Sequence, residues 1–110
     1  MIAKDLLDFL SDKLSVGVYM EAPEELTDYV LLDQTGTSRQ NHIITTTIAI
    51  QSYGPSLYKA MLLNEDVKAA MDEFLGEPNV TRVELTTDYN YTNTATKQYR
   101  WQAVYNITHY

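Results

Sequence analysis

The stretch that decides the fold runs from His42 to Ser56 and reads His-Ile-Ile-Thr-Thr-Thr-Ile-Ala-Ile-Gln-Ser-Tyr-Gly-Pro-Ser. Its branched residues alternate between two faces. One face carries Ile44, Thr46, Ile48 and Ile50, and the other carries Ile43, Thr45, Thr47, Ala49 and Gln51. This alternation predicts a β-strand over 42–53. Gly54-Pro55-Ser56 then ends the strand and opens a helix, because the fixed φ of proline suits a first helical position.

The residues before this strand predict one helix, two strands and a loop. Leucines at three- and four-residue spacing between acidic residues predict an amphipathic helix over 2–14. Alternation over 16–20 predicts a short strand, and Tyr29-Val-Leu-Leu-Asp-Gln predicts a second strand. Residues 35–41 (Thr-Gly-Thr-Ser-Arg-Gln-Asn) predict a polar, flexible loop, too long for a tight hairpin turn.

The residues after Ser56 predict a second helix and a final hairpin. The helix, over 56–75, has a mostly apolar face made of Leu57, Met61, Asn64, Val67, Ala70, Met71 and Phe74. Gly76 and Pro78 close it. A strand follows over 80–91 with Val83 and Leu85 inward, then a polar turn over 90–96. The last strand alternates through Tyr99, Trp101, Ala103, Tyr105 and Ile107.

These elements come in the order α-β-β-β-α-β-β. Hairpin connections dominate, so we expect a mainly antiparallel sheet with both helices packed on one face, an α+β fold. At 110 residues the chain is of a typical domain size. We therefore expect residues 1–110 to form a single domain.

The composition and the charge of the chain limit the classes of partner that we expect it to bind. The net charge is −7, with 13 acidic and 5 basic residues in 1–77, and no cysteine occurs. Without clustered Lys and Arg, specific nucleic-acid binding is not expected. No window approaches the roughly 20 apolar residues of a membrane span, so no membrane partner is expected either. The absence of cysteine fits a reducing environment.

The sequence carries no pattern of catalysis or cofactor binding. His42 and His109 stand alone, and the carboxylates of the first helix lack the wrapping loop that Ca²⁺ requires. Every glycine lies at an element boundary, so no phosphate-binding loop exists, and no serine sits in a nucleophile elbow. We therefore predict no catalytic, cofactor-binding or metal-binding residues and expect a protein that is not an enzyme.

The tyrosines point to protein–protein contact. Of nine tyrosines, five lie in the last hairpin region beside Trp101. Tyr and Trp are enriched where proteins touch. The face with Tyr99, Trp101 and Tyr105 is equally compatible with a core face. Tyr89 and Tyr91, close to the turn, are the better candidates for a subunit contact.

Several phrases of the chain resemble the tail-terminator (tail-completion, or minor capsid) proteins of long-tailed bacteriophages and prophages. These are Pro-Glu-Glu at 23–25, Tyr29-Val-Leu-Leu-Asp-Gln-Thr-Gly, a polar loop holding Arg39, Ala49-Ile-Gln-Ser-Tyr-Gly, and Val80-Thr-Arg-Val-Glu. The second helix, with Ala60 and Leu63, fits the same pattern. The similarity extends over nearly the whole chain and rests on element order, length and these phrases.

The resemblance implies a ring, commonly of six subunits, on the head-proximal end of the tail tube. Its partners are then other copies of this chain, the tail tube protein and the head–tail connector protein, and DNA passes through the bore. The protein is then a virion component assembled in the host cytoplasm. A ring needs contacts between two different patches, and our candidates are Thr35, Gly36, Arg39, Gln40, Asn41, Tyr89, Tyr91 and Lys97.

Two alternatives remain open from the sequence. The chain can be another component of the head–tail neck or an adaptor of similar size. From a different class, it can be a monomeric α+β module that binds a ligand or peptide. A ring predicts a defined oligomer or assembly on tail tubes, whereas a binding module predicts a monomer with a pocket.

Overall fold

A computed structural model describes residues 2–24, 27–96 and 98–110. Its elements are α1 (Ile2–Lys13), β1 (Gly17–Tyr19), β2 (Tyr29–Gln40), β3 (Ile43–Gly54), α2 (Leu57–Phe74), β4 (Val80–Asn90) and β5 (Tyr99–His109). The predicted element order and the α+β class are confirmed.

The five strands form one sheet in the order β1-β2-β3-β5-β4. All neighbouring strands are antiparallel except β1 and β2, which are parallel. The two hairpins, β2–β3 and β4–β5, meet at the centre, where β3 pairs with β5 along its length. The short β1 pairs only with Tyr29–Leu31. Among the described residues, no strand pairs with the outer edge of β2 beyond that point.

One face of the sheet joins both helices in the hydrophobic core, and we call it the core face. The core contains Leu6 and Leu10 of α1 and Val67, Met71 and Phe74 of α2. The strands contribute residues at alternate positions: Val30, Leu32, Ile48, Ile50, Ala103, Tyr105 and Ile107. Burial of these side chains is the main source of the fold's stability, because each removes apolar surface from water.

The prediction of a long, flexible 35–41 loop was wrong. β2 continues through Gln40 and β3 begins at Ile43, so the turn is only Asn41 and His42. Both residues have positive φ, 51° and 69°, as a type I′ hairpin turn requires. Asn adopts this conformation readily, whereas the sequence lacks the Asn-Gly pair that signals the turn most clearly.

Two parts of the predicted core lie at the surface. Leu57 and Met61, assigned to the apolar face of the second helix, are 36% and 42% exposed. In the first turns of α2, Ala60 and Leu63 are buried instead, together with Asn64, which was predicted to be on the apolar face. Leu85, predicted inward, is 41% exposed, while Val83 packs against the core.

Three threonines mark irregularities in the strand pairing. The register shifts at Thr35 in β2 and at Thr81 and Thr86 in β4. Each extra residue donates its hydroxyl to a backbone carbonyl of the paired strand, 2.9–3.4 Å away. At each point where the regular hydrogen bonding between the strands is disturbed, a threonine hydroxyl thus donates a hydrogen bond to a backbone carbonyl. Bulges in an edge strand such as β4 also disfavour pairing with a foreign strand.

Candidate assembly surfaces

The end of the β2–β3 hairpin forms an exposed corner of the sheet, and we call it the arm (Thr35–Gln40 and Ile43–Thr47, with the turn between them). All side chains from Asp33 to His42 are exposed, on both faces of the hairpin. Ile43 is 42% exposed. The β3 side of the arm pairs with β5 from Ile44 onward, so the arm is part of the sheet. The outer edge of its β2 side pairs with no described strand and is open to contact with another chain.

Polar side chains anchor the base of the arm to β5. Thr46 Oγ1 lies 2.9 Å from His109 Nε2 in a buried contact. Thr47 Oγ1 donates to Asn106 Oδ1 over 2.7 Å on the opposite face. These two contacts, one on each face, hold the arm in line with the sheet. On the β2 side of the same base, Gln34 Nε2 donates to Thr37 Oγ1 over 3.0 Å.

The arm differs in charge from the rest of the chain. From Gln34 to Ile48 the only residue charged at neutral pH is Arg39, while the whole chain carries −7. Arg39 is exposed and has no ion-pair partner among the described residues. The arm is thus a locally basic, polar edge of an acidic molecule.

The other face of the sheet carries a row of aromatic side chains, and we call it the tyrosine face. Cross-strand register places Tyr29, Tyr53, Arg100 and Tyr91 side by side across four chain segments. The rings of Tyr29 and Tyr53 stack with centroids 4.3 Å apart and planes 14° apart. Tyr19 meets Tyr29 edge-on at 6.2 Å. None of these rings belongs to the core cluster that contains the helices.

Arg100 lies between two of these tyrosines. Its guanidinium carbon is 4.4 Å from the ring centroid of Tyr91 and 5.7 Å from that of Tyr53. Its Nε donates to the Tyr91 carbonyl over 2.7 Å, and its Nη1 donates to the Tyr53 hydroxyl over 2.9 Å. The two rings and two hydrogen bonds fix the guanidinium without any carboxylate among the described residues.

A second row continues the network with amide side chains. The Tyr53 hydroxyl donates to Gln51 Oε1 over 2.9 Å, and Gln51 Nε2 donates to Gln102 Oε1 over 2.8 Å. Gln102 Nε2 then donates to the hydroxyl of Tyr89. Gln51 and Gln102 are buried, and Tyr89 and Tyr91 remain 38% and 43% exposed. Burial, together with the neighbouring Tyr53, raises the pKa of Tyr29, so its phenol stays neutral at physiological pH.

A charged cluster on the core face ties α2 to the β4–β5 hairpin. Asp88 accepts hydrogen bonds from Trp101 Nε1, from Asn64 Nδ2 at 3.0 Å and from Lys68 Nζ at 2.7 Å. Burial by itself raises the pKa of Asp88. The hydrogen bonds from Lys68 and Trp101 outweigh that effect and hold the pKa below its ordinary value. The cluster therefore stabilises the fold while Asp88 is ionised.

An exposed apolar patch on the first two turns of α2 was missed in the sequence. Leu57, Tyr58, Met61 and Leu62 are all exposed, with Tyr58 at 67%. Spacings of three and four residues place them together on the helix surface. The sequence signal was ambiguous, because Ala60 and Leu63 offer an equally apolar face one position away.

The predicted contact residues fall into two separate groups. Thr35, Gly36, Arg39, Gln40 and Asn41 all lie in the arm, in strand or turn, and Tyr89 and Tyr91 lie on the tyrosine face. In the strand register, Tyr91 lies in the same cross-strand row as Tyr53, and Gln40 lies in the same cross-strand row as Ile43. Ten residues of β3 separate these rows, about 33 Å at the rise of a strand. Lys97 lies outside the described residues.

The histidines and carboxylates do not form a recognisable ligand site in the described ranges. His42 lies in the arm turn, and His109 is buried against Thr46. Within residues 2–24, 27–96 and 98–110, no three His, Asp or Glu side chains are placed to hold a metal ion together. None of the described helices has the length and apolar character needed to cross a membrane.

No family model matches the chain, and no curated protein has a significantly similar sequence.

Proposed function

We propose that this chain is a structural protein of long-tailed bacteriophages that forms a ring on the end of the tail tube. The ring ends tube polymerisation and presents the surface to which the head connector binds. In this proposal the chain has no catalytic role and no cofactor. The resemblance of its sequence phrases to tail-terminator proteins supports the proposal, and so do the element order and two of its surfaces.

The observation that carries the proposal is the open edge of the arm. Its β2 side chains are exposed on both faces from Asp33 to His42, and beyond Leu31 the outer edge of β2 pairs with no described strand. Such an edge is a template for contact with another chain. A neighbouring copy that covers this edge satisfies its backbone groups.

A ring also needs two different surfaces on each copy, since heterologous contacts close it. The arm and the tyrosine face meet this requirement, because they lie at opposite ends of the sheet and differ in chemistry. Arg100, held between Tyr53 and Tyr91, belongs to the residue types that dominate binding energy at protein interfaces. The net charge of −7 fits a bore through which DNA passes without being held.

The first test is the solution mass of the wild-type chain across a wide concentration range, by light scattering after size exclusion. We expect a species near six times the chain mass of 12.6 kDa, visible as a ring by negative-stain microscopy. If the chain assembles only on a template, the test uses purified tail tubes. The lengths of the growing tubes are then measured with and without the chain. We expect bound rings at one tube end and no further growth there.

The outcomes separate the alternatives. A ring that does not bind tubes or stop their growth supports another neck component instead. A chain that stays monomeric at all concentrations and leaves tube growth unchanged contradicts the proposal. That result favours the monomeric binding module, for which the open groove of about 320 Å³ beside Tyr29, Tyr53 and Tyr99 is the place to look for a ligand.

A further inference from the structure

We propose that the arm of one copy docks in a groove beside α1 of a second copy, with Arg39 as the anchoring residue. This inference rests on the proposed ring and names the contact that joins neighbouring copies.

The groove lies between α1 and the segment that connects α2 to β4, and its volume is about 660 Å³. Its floor is apolar. Phe9 and Phe74 meet edge-to-face with ring centroids 5.1 Å apart, and Ile2, Pro78 and Val80 line the floor beside them. Phe9 is only half-buried, so part of an aromatic ring faces whatever enters the groove.

The rim of the groove carries unneutralised negative charge. Asp5, Asp12 and Glu77 line it and have no ion-pair partner in the described part of the chain. Asp8 also lines it and is paired with Lys4 at 2.6 Å. A guanidinium suits such a site, because it stacks on aromatic rings and binds carboxylates in a planar, two-pronged geometry.

The arm supplies the complementary chemistry. Arg39 is exposed and lies opposite the half-buried Ile44 in the strand register, on the same face of the hairpin. A cation is thus presented beside one branched apolar side chain, which matches the carboxylate rim and the apolar floor. Placing the arm in the groove also covers the β2 side chains that are otherwise exposed on both faces.

A second copy is the expected source of this arm. Within one copy, Arg39, Ile44, His109 and Val80 lie in one cross-strand row. Three strand spacings therefore separate Arg39 from the groove residue Val80, about 14 Å. Arg39 forms no ion pair with the rim of its own groove among the described residues. Because Arg39 stands on the open edge of the sheet and is not paired with its own rim, the groove it meets on assembly is that of a neighbour.

The chain's lack of cysteine makes disulfide trapping a clean test. In the double variant Thr37→Cys with Ser11→Cys, one thiol lies beside Arg39 on the same side of β2, and the other lies on the groove wall. Under mild oxidation we expect a ladder of covalent multimers that ends at the closed ring. Each single-cysteine variant should give no multimer beyond a dimer.

Two further variants test whether the ladder of covalent multimers arises from this contact. Adding Arg39→Glu to the double variant should slow ladder formation by about tenfold or more, because it places like charges together. The matched control is Thr37→Cys with Thr94→Cys, since Thr94 is exposed in the turn at the opposite end of the sheet. The control should not give the ladder. A ladder in the control, or one that Arg39→Glu leaves unchanged, overturns the role of Arg39.

The pattern of products separates this inference from the proposed function. A ladder up to a ring supports both. A covalent dimer and nothing larger supports the contact as a reciprocal exchange of arms between two copies, and contradicts the ring. No covalent multimer, when the wild-type chain forms rings or caps tubes, overturns the contact and leaves the function standing. No multimer from a chain that neither forms rings nor caps tubes overturns both.

Discussion

Gly54 lies where the end of β3 touches the first turn of α2. A Cβ added there would lie 2.7 Å from the backbone nitrogen of Ala60 and 3.0 Å from the carbonyl carbon of Lys59. Neither atom belongs to a flexible side chain, so the helix itself has to move. The glycine that ends the decisive strand of the sequence is therefore required by packing against α2.

We expect Gly54→Ala to lower the free energy of unfolding by about 1–3 kcal/mol, as overpacking of a tight contact does. Gly36→Ala is the matched control, since nothing lies within 4 Å of a Cβ at that position and its φ is not positive. The control should change stability by less than about 1 kcal/mol. Urea unfolding midpoints of the three proteins provide the comparison, and equal midpoints for the two variants contradict the contact.

Asp88 makes the stability of the fold dependent on pH. Its pKa is lower in the folded protein than in the unfolded chain, so its contribution is fully present above the unfolded pKa of about 4. That contribution is lost as the pH falls through the folded pKa. We expect Asp88→Asn to cost about 1–3 kcal/mol at pH 7, because Lys68 loses one of its two carboxylate partners and keeps only the more exposed Glu65.

The stability difference between wild type and Asp88→Asn should shrink as the pH is lowered from about 5 to below 4. Chemical denaturation at a series of pH values measures it. Asp33→Asn, at an exposed carboxylate without an ion pair among the described residues, serves as the control. A difference that stays constant with pH contradicts the role of Asp88 ionisation.

Single residues of the tyrosine face were only partly predictable. Tyr89 and Tyr91 could be singled out because tyrosines are common at interfaces. Arg100, Gln51 and Gln102 could not, because their contacts depend on which residues of β3, β4 and β5 lie opposite each other. The β4–β5 part of that register is shifted by two bulges in β4, and a sequence does not state where bulges fall.

Among the elements, the arm was the least predictable from sequence. Its six residues from Thr35 to Gln40 are polar and lack the apolar alternation from which a half-buried strand is recognised. They form a strand because β3, which is strongly β-forming, pairs with them through a two-residue turn. Helix α2 was predicted with nearly correct bounds, but its first two turns offered two apolar faces, and the choice between them depends on tertiary packing.

Shortening the arm should abolish assembly while the monomer stays folded. The variant lacks Arg39, Gln40, Ile43 and Ile44, so that Ser38 and Thr45 flank the unchanged turn. Removing two residues from each strand keeps the alternation of hydrogen-bonded pairs that a two-residue turn needs. We expect the free energy of unfolding to fall by less than about 1.5 kcal/mol, since three of the four residues are exposed.

Circular dichroism and light scattering test this variant. Arg39→Gln is the milder companion, because it keeps the arm at full length and removes only the charge. Intact rings from the shortened chain contradict a role of the arm in assembly. An unfolded variant shows that the arm supports the core, which contradicts a role in assembly that is separate from folding.

For the molecule as a whole, the fold class and element order could be predicted because long, strongly periodic segments dominate the chain. The tyrosine face could not be predicted as a unit. Its stacked rings and paired amides cover that side of the sheet with their own side chains, and Tyr29 and Tyr53 are buried without joining the core cluster. Tyr89 and Tyr91, at the border of this network, are the members that remain exposed to a neighbour.

Replacing Tyr89 and Tyr91 together with alanine should weaken ring assembly and leave the monomer folded. We expect a loss of about 1–2 kcal/mol in the free energy of unfolding, from the lost cation–π contact of Arg100 and the lost partner of Gln102. Light scattering reports assembly, and circular dichroism reports folding. Tyr58→Ala, at an exposed tyrosine of α2, is the control. A double variant that unfolds shows that these tyrosines belong to the structural framework.

The pairing of β3 with β5 at the centre of the sheet has a consequence for how the chain folds. Within the β2–β3 hairpin, paired residues are 3 to 24 positions apart in sequence, from Gln40 and Ile43 to Tyr29 and Tyr53. Across the central seam the separation is 45 for Gly54 and Tyr99 and 65 for Ile44 and His109. Closing such long loops slows folding, so each hairpin forms early and their joining limits the folding rate.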